Sequence, residues 1–160
     1  QLSYVTQTTL SVDDTRNVIE ALKNKFPAIL GPDVKDICYA TQNRQDAVRA
    51  LASQVDLLLV VGAQNSSNSN RLRDLGASME KPSYLINDAG DLDPDWLHGV
   101  ETVGVTAGAS APEELVQGVI KQLAVYRDVQ VQKMPGVKEN VTFKLPRELT
   151  HSAHFTGITS

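Results

Sequence analysis

An α/β fold, with mostly parallel sheets covered by helices, follows from three observations in the sequence. Short apolar runs alternate with segments whose apolar residues recur at helical spacing. The runs are brief and apolar enough to be buried on both faces, and polar loops follow three of them directly. Strands are expected at residues 2–6, 56–61, 83–86 and 102–105. The first helix begins behind Ser11, where Val12, Val18, Ile19, Leu22 and Phe26 share a face. Ser11-Val12-Asp13-Asp14 reads as a capping box with Asp for the usual Glu, and Pro27 closes the helix. A second helix spans residues 43–54, its stripe of Ala47, Val48, Leu51 and Ala52 facing the core, with Arg44 and Arg49 outside it. A third covers residues 71–79. The fourth starts near Pro112, carries Leu115, Val116, Val119, Ile120 and Leu123 toward the sheet, and ends around Val125. Beyond it, residues 129–132 and 141–145 read as two short strands joined by Pro135-Gly136, followed by a polar tail, residues 146–160, expected to be poorly ordered at its end.

With 160 residues, of which 41% are hydrophobic, the chain has material for one ordinary domain, or one domain and a piece of another. No apolar run approaches the ~18 residues of a membrane span, and no charged-then-apolar leader opens the chain, so a cytoplasmic protein is expected. A net charge of -4 without a dense basic run gives nucleic-acid binding little support. The first residue is Gln1, and residues 2–6 read as a strand already under way; an N-terminal portion is therefore expected to be missing.

The polar loops carry the chemistry. After Leu57-Leu58-Leu59-Val60-Val61 the chain turns at Gly62 into Asn65-Ser66-Ser67-Asn68-Ser69-Asn70, ahead of a helix. A helix start leaves backbone N–H groups unpaired and carries partial positive charge, and Ser and Asn add side-chain donors, so this is a place for an anion or simply a polar turn. Thr6-Gln7-Thr8-Thr9 and Thr106-Ala107-Gly108-Ala109-Ser110 repeat the pattern after two other strands, at the sheet edge where ligands of open α/β sheets bind. Ser110-Ala111-Pro112-Glu113 is also a capping box, so Ser110 has a purely structural reading as well. Phosphate loops of the Gly-x-x-x-x-Gly-Lys-Ser/Thr and Gly-x-Gly-x-x-Gly types are absent, which leaves neutral donors to hold any phosphate. Charge-assisted bonds of about 1.5–3 kcal/mol each, several together, support micromolar binding of a diphosphate.

The one cysteine, Cys38, excludes an internal disulfide and, by itself, a cysteine-based metal site. It lies just ahead of a helix, where the dipole favours thiolate; ligand, nucleophile and inert buried thiol are all open readings. His98, in an expected surface helix, and His151 and His154 in the tail read as structural or solvated.

Four motifs together are distinctive: Thr6-Gln7-Thr8-Thr9-Leu10-Ser11; Cys38-Tyr39-Ala40-Thr41 with Asn43-Arg44-Gln45; Gly62 with Asn65-Ser66-Ser67-Asn68-Ser69; and Gly104-Val105-Thr106-Ala107-Gly108-Ala109-Ser110-Ala111-Pro112. In order and spacing they resemble the carboxyl-terminal half of 4-hydroxy-3-methylbut-2-enyl diphosphate reductase, over most of the chain up to about Val125. The resemblance implies a trefoil of three α/β domains around a [4Fe-4S] cluster, and reductive removal of the substrate hydroxyl to give isopentenyl and dimethylallyl diphosphates. An external donor such as ferredoxin or flavodoxin would supply electrons, in the cytoplasm or, in a plant or alga, the plastid stroma. It implies Cys38 as one of three cluster cysteines, Ser66, Ser67, Asn68 and Ser110 as diphosphate ligands, and Thr8 as a catalytic and substrate-binding residue near the substrate hydroxyl.

The other two cluster cysteines, the pocket histidines and the proton-delivering glutamate of that family have no counterpart here. The chain is accordingly expected to be a fragment, inactive alone, with residues 1–36 ending the middle domain, 37–124 forming the third, and 125–160 supplying C-terminal strands and tail. A stand-alone phosphate-binding module and a metal-free Cys38 nucleophile enzyme are the competing readings.

Overall fold

The computed structural model describes residues 1–32 and 39–136. Cys38, the expected strand at residues 141–145, His151, His154 and the polar tail lie outside them. At the centre is a three-stranded parallel sheet of β1 (Leu57–Val61), β2 (Ser83–Ile86) and β3 (Val103–Ala107), in the order β2-β1-β3. β1 is buried at every position, as its unbroken Leu/Val run requires of a strand covered on both faces. The flanking strands are less enclosed: the first half of β2 and most of β3 are only half-buried.

The helices are α1 (Val12–Lys25), α2 (Tyr39–Ala52), α3 (Ser67–Ser78) and α4 (Glu113–Tyr126). Alternation along β1 divides the core. Leu58 and Val60 face Val48 and Leu51 of α2 and Leu72 and Leu75 of α3. Leu57, Leu59 and Val61 face the other way, toward Val119 and Leu123 of α4 and toward Leu92 and Leu97, which lie in and beside two short 3-10 turns, Ala89–Asp91 and Pro94–Leu97. On this second face Trp96 stacks on Tyr84, ring centroids 3.8 Å apart and planes 3° from parallel. Beyond the end of α4, Arg127 donates to the carbonyls of Leu97 (2.7 Å) and Val100 (3.1 Å). At the amino edge of the sheet, Asp56 Oδ2 accepts from Glu101 N, Thr102 N and Thr102 Oγ1 at 2.8–3.1 Å, and these bonds hold its carboxyl below the usual carboxylate pKa.

Several sequence expectations shift. Residues 2–6 make no strand of this sheet: Ser3 and Leu30 form an isolated parallel bridge, and Leu2 and Val5 are 54% and 91% exposed. Helix α2 begins at Tyr39 and not at residue 43. Helix α3 begins at Ser67 and not at residue 71, because Ser66 caps it and draws the polar run into its first turn. Pro112 is the cap residue of α4, with no side-chain capping bond, so the Ser110 capping box does not form and Ser110 stands exposed. Residues 129–132 have no strand pairing among the described residues, the partner expected at residues 141–145 lying outside them, and Val131 is 63% exposed. His98 follows the Pro94–Leu97 turn, exposed, 3.8 Å from Asp95 Oδ1.

Candidate functional site

The order β2-β1-β3 places a topological switch point between β1 and β3. From β1 the chain leaves through α3 toward the α2 face; from β3 it leaves toward α4 on the opposite face. Connections that part in this way open a crevice at the carboxyl ends of the two strands. Register fixes its floor: Val61 pairs with Ala107, and Gly108 N–H donates to Val61 O at 2.9 Å, so Gly62 and Gly108 lie side by side. Neither glycine has room for a side chain, because a Cβ on either would overlap the hydroxyl of Ser69.

Ser66, half-buried, caps α3 from an extended conformation (φ -79°, ψ 113°). Its Oγ accepts from Ser69 N–H at 3.3 Å and from the Ser69 hydroxyl at 3.1 Å. The loop before it is pinned from within: Asn70 Nδ2 donates to Gln64 O at 2.7 Å and to Ser66 O at 3.0 Å, and Gln64 Nε2 donates to Leu85 O at 2.9 Å. Ser67, the first helical residue, is exposed. No acidic residue occupies the first turn of α3, so nothing there opposes the positive end of the helix dipole.

Asn68 is the decisive side chain. It is 8% exposed, yet neither its Nδ2 nor its Oδ1 has a hydrogen-bond partner among the described residues. It points toward the switch point, with Nδ2 3.8 Å from where a Cβ on Gly108 would sit. A buried amide without a partner costs about 1–3 kcal/mol, so Asn68 is a candidate group for hydrogen bonding to a polar ligand at this helix start.

The structure therefore brings Ser66, Ser67 and Asn68 together in one turn and sets the loop carrying Ser110 against it. Thr8 is not gathered in. It lies exposed on a turn outside the sheet, a turn held to α2 by a 3.3 Å bond from Gln45 Nε2 to Leu10 O. Cys38 is outside the described residues, and among those described no three His, Cys, Asp or Glu side chains come together to hold a metal. Ser69, Gly62 and Gly108 stand in the sequence motifs, but the sequence assigns no contact among them, because that contact depends on the pairing of β1 with β3.

Residues 1–124 match the family model described as LytB protein. The chain belongs to the LytB family. Among LytB relatives, the 4-hydroxy-3-methylbut-2-enyl diphosphate reductase of Zymomonas mobilis is 59% identical over 150 residues, covering 94% of this chain and 44% of its own length. The reductase of Pseudomonas fluorescens is 58% identical over 149 residues, 93% of this chain and 48% of that protein. A solved structure of the Plasmodium falciparum reductase superposes with a TM-score of 0.81 at 38% identity, over 95% of this chain and 48% of that one. The chain thus spans about half the length of the LytB proteins it matches, and the α/β fold expected from sequence is the fold of that family.

Proposed function

We propose that this chain is the diphosphate-anchoring part of a 4-hydroxy-3-methylbut-2-enyl diphosphate reductase, an oxidoreductase of isoprenoid precursor biosynthesis. The observation that carries the proposal is the unpartnered, buried amide of Asn68 at the start of α3. Its NH2 group, the Ser66 and Ser67 hydroxyls and the first-turn N–H groups are donors, and Ser110 adds one from the loop after β3; a diphosphate of roughly three negative charges matches such a set. Thr8 is assigned to the substrate hydroxyl in the assembled enzyme.

Anchoring one end of the substrate fixes its carbon chain, and that positioning is this half's contribution to the reaction. The [4Fe-4S] cluster implied by the resemblance needs several thiolates, and this chain has one cysteine; its residues alone do not fit a cluster. Cys38 is proposed as one ligand, the others coming from outside the chain, with ferredoxin or flavodoxin as electron donor. The assigned division is residues 1–36 to the end of a middle domain, 37–124 to a third, and 125–160 to a C-terminal extension. The cytoplasm, or a plastid stroma, is the proposed location; among the described residues no helix is long and apolar enough to cross a membrane.

The test is a chimera in which this chain replaces the matching segment of the Zymomonas mobilis reductase. Reductase activity is expected, with Ser66→Ala raising KM about tenfold or more at little change in kcat, and Cys38→Ser removing cluster absorbance and activity together. A folded chimera with an intact cluster after Cys38→Ser would refute the ligand assignment. An unchanged KM after Ser66→Ala would refute the anchor.

A further inference from the structure

Ser69 is the most enclosed polar side chain near the site, 1% exposed and wedged against both Gly62 and Gly108. A buried hydroxyl requires a partner, and the partner here is Ser66 Oγ, at 3.1 Å. Ser66 Oγ also receives the Ser69 N–H at 3.3 Å. A serine oxygen has two acceptor positions and one proton. With both acceptor positions taken by Ser69, the only capacity left to Ser66 is to donate.

From this geometry we infer that Ser69 is a positioning residue for the anion: its hydroxyl holds Ser66 as an obligate donor. The chain Ser69 O–H to Ser66 O–H to ligand oxygen is directional, and each bond polarises the next. The wedge between the two glycines makes the orientation durable, since Ser69 Oγ is confined by backbone from both strands of the switch point. This inference rests on the anion-site reading and deepens it. The unpaired, buried amide of Asn68 points to a ligand at the same turn independently of Ser69.

Calorimetric titration of the 160-residue chain with inorganic diphosphate tests it. The wild-type chain is expected to bind, Ser66→Ala to bind about tenfold more weakly, and Ser69→Ala about fivefold more weakly. The double variant is expected to match Ser66→Ala alone, because Ser69 acts only through Ser66; a packing defect would add its own loss in that background. Thermal unfolding of each variant accompanies the titration. Should Ser69→Ala fail to fold, Ser69→Cys, which keeps the wedge filled with a somewhat larger atom and replaces the strong donor with a weak one, carries the same expectation. Wild-type affinity in the Ser69 variants, or a Ser69→Ala loss that persists undiminished in the Ser66→Ala background, overturns the inference while leaving the anion site standing. No binding by the wild-type chain overturns both.

Discussion

Replacing Asn68 by Leu should move stability and binding in opposite directions. In the ligand-free chain the Asn68 amide is 8% exposed with both polar atoms unpaired, an arrangement that costs about 1–3 kcal/mol. Leucine has a similar volume, and the misfit of its branched end costs less than about 1.5 kcal/mol. The net expectation is a gain of about 1 kcal/mol, which raises Tm by about 2–4 °C in a chain of this size. Circular-dichroism melts without ligand measure it. Adding diphosphate at a hundred times its dissociation constant stabilises the wild-type chain by about 2.7 kcal/mol and should leave the Asn68→Leu chain unmoved, so the ranking of the two melting temperatures reverses. A ligand-free Asn68→Leu chain that melts several degrees below wild type, or that binds diphosphate with wild-type affinity, would refute the claim that this amide is held unpaired for an anion.

Leu72 is fully buried between α3 and the sheet, so Leu72→Ala should lose about 2–5 kcal/mol, read as a lower urea midpoint with unchanged slope. Asp56 has its carboxyl pKa lowered from 3.8, first by the Thr102 side-chain bond, then by the Thr102 and Glu101 backbone N–H groups. A depressed folded-state pKa contributes stability that is present above the unfolded value and is lost as pH falls through the folded one. Stability should therefore decline below about pH 4, and Asp56→Asn should flatten that part of the profile; an identical acid limb in both proteins would remove Asp56 from the account. Ala in place of Gly108 should displace the Ser69 hydroxyl and weaken diphosphate binding, with titration and melting measured together to separate the two effects.

How much of this was legible depended on whether the cause was local. The Leu57–Val61 run declared a doubly buried strand, and Ser83–Ile86 was bounded correctly at both ends. Helix α3 was read late because Ser and Asn are weak helix formers, and only the Ser66 cap, a matter of one side chain's geometry, carries the helix back to Ser67. Residues 2–6 have a strand's composition, but composition supplies no partner, and among the described residues pairing stops at one bridge to Leu30. The Ser66-Ser67-Asn68 turn could be named from its residue types. The sheet edge it faces could be named too, from the polar loops that follow the strands, but the register that sets Val61 opposite Ala107 across the intervening β2 excursion could not.

That register also ties ligand to folding. The proposed anion site draws on the ends of two strands that meet only after the segment between them has left the sheet's centre and returned, so it would form only once the long-range pairing is complete. A diphosphate seated there would act as a clasp on the finished sheet. Under the proposed function, a chain holding diphosphate would spend less time open to proteases than an empty one, so occupancy of the site would lengthen the protein's life.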